Sequence, residues 1–281
     1  MSAPPDHVRS AFGVPGEVPH RMSGGRGGTY RCGSVVLKRT DDSAESSWLA
    51  GTFEQLWVPG VRVARPVRSS DGRWVIAGWT AHRYVVGRSA PRFTDIIEVG
   101  QRLHATLVDL PRPRFLDDRD TVWSWADRLS WGDAPADDRR LGDGVGAAAF
   151  AELAAGRRPV DLPHQLVHGD LTGNVLFAGA APPAVIDMTP YWRPVAWASA
   201  VVVVDAIAWG GADLDLAIGR RTDQWRQVLR RALMFRLAVS LAQPHSTPAS
   251  MVGVMSAVEQ LQPLLDDELP GLAGHTPDAS H

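Results

Sequence analysis

The sequence predicts an α+β chain of 281 residues, with a small antiparallel sheet in front and a larger, mainly helical part behind it. Three observations lead there. Short β-branched and aromatic pieces, separated by Gly, Pro and Asp, occupy the first 87 residues. Composition changes at Gly87, and from about residue 94 the apolar residues recur at helical spacing. Apolar residues make up 44% and charged residues 21%, which provides for a sizeable core and excludes a globally disordered chain.

The elements follow in order. A short helix is predicted around residues 6–12, then a glycine cluster, Gly24, Gly25, Gly27 and Gly28, between strand-like pieces. Cys32-Gly33-Ser34 reads as a hairpin turn and Val35 to Lys38 as a strand, on which alternation places Val36 and Lys38 on one face. In DDSAESSWLAGTFEQL, Asp42 or Ser43 caps a helix whose apolar stripe holds Trp48, Leu49, Phe53 and Leu56 together with Glu45, while Glu54 lies opposite. An acid on a buried face needs a cation, and the sequence offers Lys38 across the turn. Residues 63–67 and 74–79, with Asp71-Gly72 between them, predict a hairpin. Helices are predicted at 94–108, 121–129, 146–155, 198–209, 224–242 and 250–265. The domain reading is a first lobe of residues 1–87, a second lobe of 88–268 and a disordered tail of 269–281.

Charge and composition exclude several function classes. The net charge of −2 argues against a general nucleic-acid or membrane-surface binder. The longest apolar stretch ends at Asp205, far too short to span a bilayer, and no signal peptide opens the chain, so a cytoplasmic location is expected. A single cysteine, Cys32, excludes an internal disulfide. The first 87 residues carry 11 basic and 7 acidic groups, a sign that suits a polyphosphate. Of 29 basic residues only Lys38 is a lysine, and Asn174 is the only asparagine. Where coding bias has replaced these two types nearly everywhere, the survivors are candidates for roles their substitutes cannot fill. A compact ammonium and a planar guanidinium differ most at a crowded phosphate.

The chemistry concentrates in residues 165–187, QLVHGDLTGNVLFAGAAPPAVID. Three short apolar pieces read as strands linked by a polar turn and a Gly/Pro turn, which gathers His168, Asp170, Asn174 and Asp187 at strand ends. Two carboxylates and a carboxamide form an all-oxygen set suited to Mg²⁺.

HGDLTGNVLF followed by VID resembles the catalytic and metal-binding loops of the aminoglycoside phosphotransferase (antibiotic kinase) family, which has a bilobal protein-kinase-like fold. Among its members the chain most resembles an uncharacterised actinobacterial branch. The resemblance implies that Lys38 binds the α- and β-phosphates of ATP or GTP, held by Glu45. It implies that the glycine turn with Gly25, Gly27 and Gly28 covers the nucleotide, and that backbone at Arg83, Tyr84 and Val85 meets the base. Asp170 is then the catalytic residue that orients the acceptor hydroxyl, Asn174 and Asp187 hold Mg²⁺, and His168 and Asp205 give structural support. The partners implied are a nucleotide and a small-molecule hydroxyl acceptor.

Asn174 follows Asp170 by four positions where the family pattern has five, which keeps a nucleotide-binding pseudokinase as an alternative. A metal-dependent hydrolase built from His164, His168, Asp170 and Asp187 is a third reading.

Overall fold

A computed structural model describes residues 2–22, 28–218, 222–243 and 247–266. Gly24, Gly25 and Gly27 and the tail predicted from residue 269 lie outside the described residues. The chain begins with α1 (Asp6–Ala11), β1 (His20–Arg21), β2 (Thr29–Cys32), β3 (Val35–Arg39) and α2 (Ser43–Gln55). Next come β4 (Arg62–Val63), β5 (Trp79–Arg83), α3 (Phe93–Ala105), α4 (Phe115–Asp118), α5 (Val122–Trp131) and α6 (Val145–Ala155). Four strands follow, β6 (Gln165–His168), β7 (Val175–Ala178), β8 (Ala181–Val185) and β9 (Pro190–Arg193). The described chain closes with α7 (Val195–Trp209), α8 (Asp215–Ile218), α9 (Asp223–Ala242) and α10 (Pro248–Asp266). This is the α+β class the sequence predicts.

The chain forms two compact units, Met1–Arg119 with Pro163–Val202, and Asp120–Leu162 with Val203–His281. In the first unit, β1, β2, β3 and β5 make an antiparallel sheet in that order. Burial alternates along β3: Val35 and Leu37 are 2% and 0% exposed. They pack with Val8 and Phe12 of the α1 segment and with Tyr30, Cys32, Trp79 and Ala81. That buried row sets the register and puts Val36 and Lys38 on the opposite face. Thr80 and His82, paired with Lys38 and Val36, share that face. The Gly33-Ser34 turn is tight, and Gly33 takes φ +57° as a two-residue hairpin requires.

The hairpin predicted from residues 63–67 and 74–79 is not formed. β4 has only two residues and runs parallel to β8. Beyond it Pro66 bridges His82 and Val67 N donates to Ala81 O at 2.8 Å, so this stretch runs along β5 rather than along residues 74–79. The second stretch instead closes a turn in which Ile76 and Trp79 exchange backbone hydrogen bonds around Ala77 and Gly78, both at positive φ. The strand therefore starts at Trp79, where the prediction ended it. α2 does form as predicted, with the Asp42 carboxylate accepting from the amides of Ala44 and Glu45.

In the second unit, α9 packs against α5, α6 and α10. Val228, Leu229, Leu233 and Phe235 are each fully buried along it, and so, nearly, are Arg226, Arg230, Arg231 and Arg236. Arg236 donates to both oxygens of Asp205 at 2.7 Å. Both side chains are buried, so this bidentate pair satisfies two charges that would otherwise be costly. Among the described residues no helix is long and apolar enough to cross a membrane.

Leu37→Ala should leave a cavity under the sheet, because the side chain is 0% exposed. We expect a loss of about 2–5 kcal/mol in urea denaturation, with Val36→Ala on the other face costing much less.

Candidate active site

The site is built in the first unit by the ends of β6, β7, β8 and β9. β6 pairs antiparallel with β9, His168 facing Pro190. This fourth strand of the region was missed by sequence reasoning, since Thr-Pro-Tyr-Trp-Arg carries no alternating pattern. Gly169 follows, donating its amide to Thr189 O at 3.0 Å. A Cβ at this position would lie 2.3 Å from Tyr191 Cδ2 and 3.1 Å from Trp197 Cζ3. Two packed aromatic rings therefore require glycine between His168 and Asp170.

The turn after Asp170 closes through Gly173 at φ +84°. It brings Asn174 back so that its amide donates to Leu171 O at 2.9 Å and its Nδ2 to Asp170 O at 2.7 Å. Asn174 O in turn accepts from Ile186 N at 3.0 Å, joining the Asp170 loop to the chain that leads into Asp187. With its nitrogen committed, the Asn174 side chain leaves its carboxamide oxygen for a cation.

Asp187 adopts φ +53°, a conformation rare outside glycine and best tolerated by Asp and Asn. Its Oδ1 accepts from Lys38 Nζ, a contact between residues 149 positions apart. Burial raises the Asp187 carboxyl's pKa, but the charge and hydrogen bond of Lys38, with His168 and His82, hold it below its ordinary value. Asp187 is thus an anion. Both side chains remain more than a third exposed, so a ligand can reach them.

His168 lies under these loops at 0% exposure. Its Nδ1 accepts from Asp170 N at 3.1 Å and its Nε2 faces Ile186 O at 3.4 Å. These partners assign the proton to Nε2. Burial pushes the ring's pKa down, so it stays neutral. A second histidine, His104 on α3, accepts the His168 amide on its Nε2 at 2.9 Å. Burial drives its pKa down to about 3. Its Nδ1 has no hydrogen-bond partner among the described residues. Sequence reasoning missed His104; the available signal was a histidine on the apolar face of α3 beside Ile96, Ile97, Gly100 and Leu103.

The expected Lys38–Glu45 ion pair is not made. Lys38 goes to Asp187, and Glu45 meets Arg119, Nη2 lying 2.9 Å from Oε2. The physical reason is reach and burial. Arg119 is only 9% exposed and stands beside the inward face of α2, so Glu45 finds its cation there. Nothing local marked Arg119, one arginine among 28. Glu54, on the outer face as predicted, pairs with Arg68.

The remaining predicted residues are placed as follows. Gly28 O accepts from Arg39 N at 3.0 Å at the start of β2. The amide of Arg83 donates to Arg65 O at 2.7 Å and that of Tyr84 to Ser34 O at 2.9 Å. Arg31 stacks 3.8 Å over the Tyr84 ring, and Val85 follows directly. Asp205 belongs to the second unit, in its pair with Arg236. His164 is exposed just ahead of β6. Both ring nitrogens of His168 face backbone groups, and among the described residues no group of three or more His, Cys, Asp or Glu is placed to hold a metal ion. Asp187 and Asn174 each carry a hard oxygen of the kind that could hold a magnesium ion.

A model of the phosphotransferase enzyme family matches residues 28–190, a span that runs from the sheet through Asp187. The chain belongs to this family. No curated protein matches it. Three solved structures place this phosphotransferase-family chain in the protein-kinase-like fold. A microcompartment-associated aminopropanol kinase is 17% identical with a TM-score of 0.64, covering 92% of this chain and 97% of that one. An aminoglycoside phosphotransferase from Alicyclobacillus acidocaldarius is 17% identical with a TM-score of 0.60, covering 94% and 96%. A choline/ethanolamine kinase family protein from Mesorhizobium loti is 16% identical with a TM-score of 0.55, covering 93% and 95%.

Two measurements check this geometry. Gly169→Ala should be strongly destabilising, because the rings of Tyr191 and Trp197 must move; an unchanged melting temperature would contradict the packing. The buried histidines set a pH dependence. His82 is lowered to about 4 and His104 to about 3, both mainly by burial, and His168 is lowered too. The unfolded chain binds more protons than the folded one below about pH 6.5, so stability falls as pH drops. We expect the urea midpoint to decline from pH 7.5 to 5, with His104 contributing up to about 1.4 kcal/mol per pH unit once the pH is well below 6.5 and His168 acting in the same direction.

Proposed function

We propose that the chain transfers the terminal phosphoryl group of Mg-ATP or Mg-GTP to a hydroxyl of a small molecule in the cytoplasm. The observation that carries this is the meeting of Lys38 with Asp187, beside a loop that ties Asp170 and Asn174 to Ile186. Sequence-distant groups of opposite sign converge there with the oxygen donors a magnesium nucleotide needs. Family membership supports the reaction class. In this reading residues 1–87 supply the nucleotide-facing lobe and 88–268 the acceptor lobe.

Lys38 would shift from Asp187 alone to the α- and β-phosphates, and backbone near Arg83 to Val85 would meet the base. Asp187 and the Asn174 oxygen would hold magnesium, which supplies charge neutralisation on the phosphates when bound. Asp170 would orient the acceptor hydroxyl and take its proton as the oxygen bonds to the γ-phosphorus and the β–γ bridging bond breaks. A loose transition state asks for positioning more than for a strong base, a demand that a well-placed carboxylate meets. His168 would hold Asp170 through its amide while remaining neutral.

The short loop between Asp170 and Asn174 supports one second reading, a pseudokinase that binds nucleotide without transferring it. Thermal unfolding with and without Mg-ATP and Mg-GTP tests the common ground. Ligand at about a hundred times its dissociation constant should stabilise the wild type by roughly 2.7 kcal/mol. The shift should disappear in Lys38→Ala and in Asp187→Ala and survive in Asp170→Ala. An acceptor screen by phosphate transfer then separates enzyme from pseudokinase, with Asp170→Ala expected to abolish turnover. No shift with either nucleotide would sink both readings.

A further inference from the structure

Glu45 and Arg119 are not used by the mechanism above, yet they are among the better-sheltered ionised groups near the site. Their side chains are 22% and 9% exposed. Arg119 Nε donates to Glu45 Oε2 at 3.2 Å, with Nη2 at 2.9 Å from the same oxygen. On its other edge, Nη1 donates to Pro190 O at 2.9 Å. Its guanidinium carbon lies 5.7 Å from the ring of Phe115 and 5.7 Å from that of Tyr191. Phe115 in turn makes an edge contact with Trp48 of α2, centroids 5.6 Å apart.

We propose that Arg119 is the working partner of Glu45 and a positioning residue for the nucleotide site, clamping α2 to the strand that leaves Asp187. Pro190, whose carbonyl Arg119 holds, comes three residues after Asp187 and pairs with His168 across the ladder. One planar guanidinium therefore grips the helix that follows the Lys38 strand and the chain that carries Asp187. The fork offers donors on separate edges to a carboxylate and a carbonyl that lie apart, whereas an ammonium's three donors radiate from one point. Burial raises the pKa of Glu45, and the charge and hydrogen bond of Arg119 oppose that rise more strongly than Lys38 does. Lys38 is then left to serve Asp187 and the phosphates, with no share in holding α2.

The proposal rests on the nucleotide-site reading, and two double-mutant cycles test it. Glu45→Gln is combined with Arg119→Lys in one and with Lys38→Met in the other. The readouts are Mg-ATP and Mg-GTP dissociation constants, together with kcat and nucleotide KM where turnover is found. Groups in one ion-pair network couple strongly, whereas separate ones add. We expect Arg119→Lys to weaken nucleotide affinity about tenfold and Glu45→Gln to add little to it, while Glu45→Gln and Lys38→Met combine independently. Coupling of Glu45 to Lys38 with independence from Arg119 would overturn the proposal, as would independence in both cycles. A merely structural Arg119 would lower the melting temperature and leave nucleotide affinity unchanged, which also overturns it. The Arg119 Nε–H resonance reads the pair without nucleotide: it should move in Glu45→Gln and stay in Lys38→Met, and a signal unmoved in both overturns the pairing. Should the wild type bind neither nucleotide, the site reading fails and the positioning role with it, while the resonance still decides whether the pair is made.

Discussion

A neutral imidazole braces the two loops on which the site depends. His168 receives the Asp170 amide on one nitrogen and faces the Ile186 carbonyl with the other. Asp170 and Asp187, the two carboxylates with proposed chemical roles, each follow directly on backbone that this ring contacts. The arrangement works because the ring is buried and uncharged. A protonated ring would present a donor to the Asp170 amide, and the turn would lose its acceptor. His104 extends the brace by taking the His168 amide, so α3 is bound to β6 by a contact unavailable to an aliphatic side chain. Both histidines owe their low pKa chiefly to burial, and their neutrality is therefore a property of the packed fold.

The division of the cations follows from shape. Lys38 is compact, and it stands half-exposed on the face of the small sheet opposite the buried row, against Asp187. Arg119 is a fork, and it sits where a carboxylate and a carbonyl must be held at once. Arg236 repeats the principle in the second unit by engaging both oxygens of Asp205. In a chain whose other 28 cations are arginine, the single lysine is the one that meets Asp187. Asn174 has a comparable logic: its nitrogen is committed to the Asp170 carbonyl while its oxygen stays available, a split that a carboxylate cannot reproduce.

Much of this was legible in the sequence. The six longer helices from α3 onward have predicted spans within a few residues of those observed, whereas the four-residue α4 and α8 were not predicted. Asp170, Asn174 and Asp187 were singled out from the spacing of polar residues at strand ends, and the loops that carry them are joined through Asn174, Ile186 and His168. The Asp42 cap and the Gly33 turn were equally readable, because backbone donors and positive φ leave strong local signatures. The hairpin predicted over residues 63–79 failed because Ala77-Gly78 make a turn of their own and residues 65–67 pair with the strand beyond it, β5.

The sequence by itself determined the longer helices, the Lys38 strand with its buried face and the residue types that gather near the turn after His168, since these depend on neighbours along the chain. Only the tertiary structure decided the partners. It assigned Lys38 to Asp187, Glu45 to Arg119 and the His168 amide to His104, and it placed two aromatic rings where only a glycine at position 169 leaves room. An ion pair between distant residues depends on where separate elements pack, and any of several arginines suits a buried acid equally well until the packing brings one within reach.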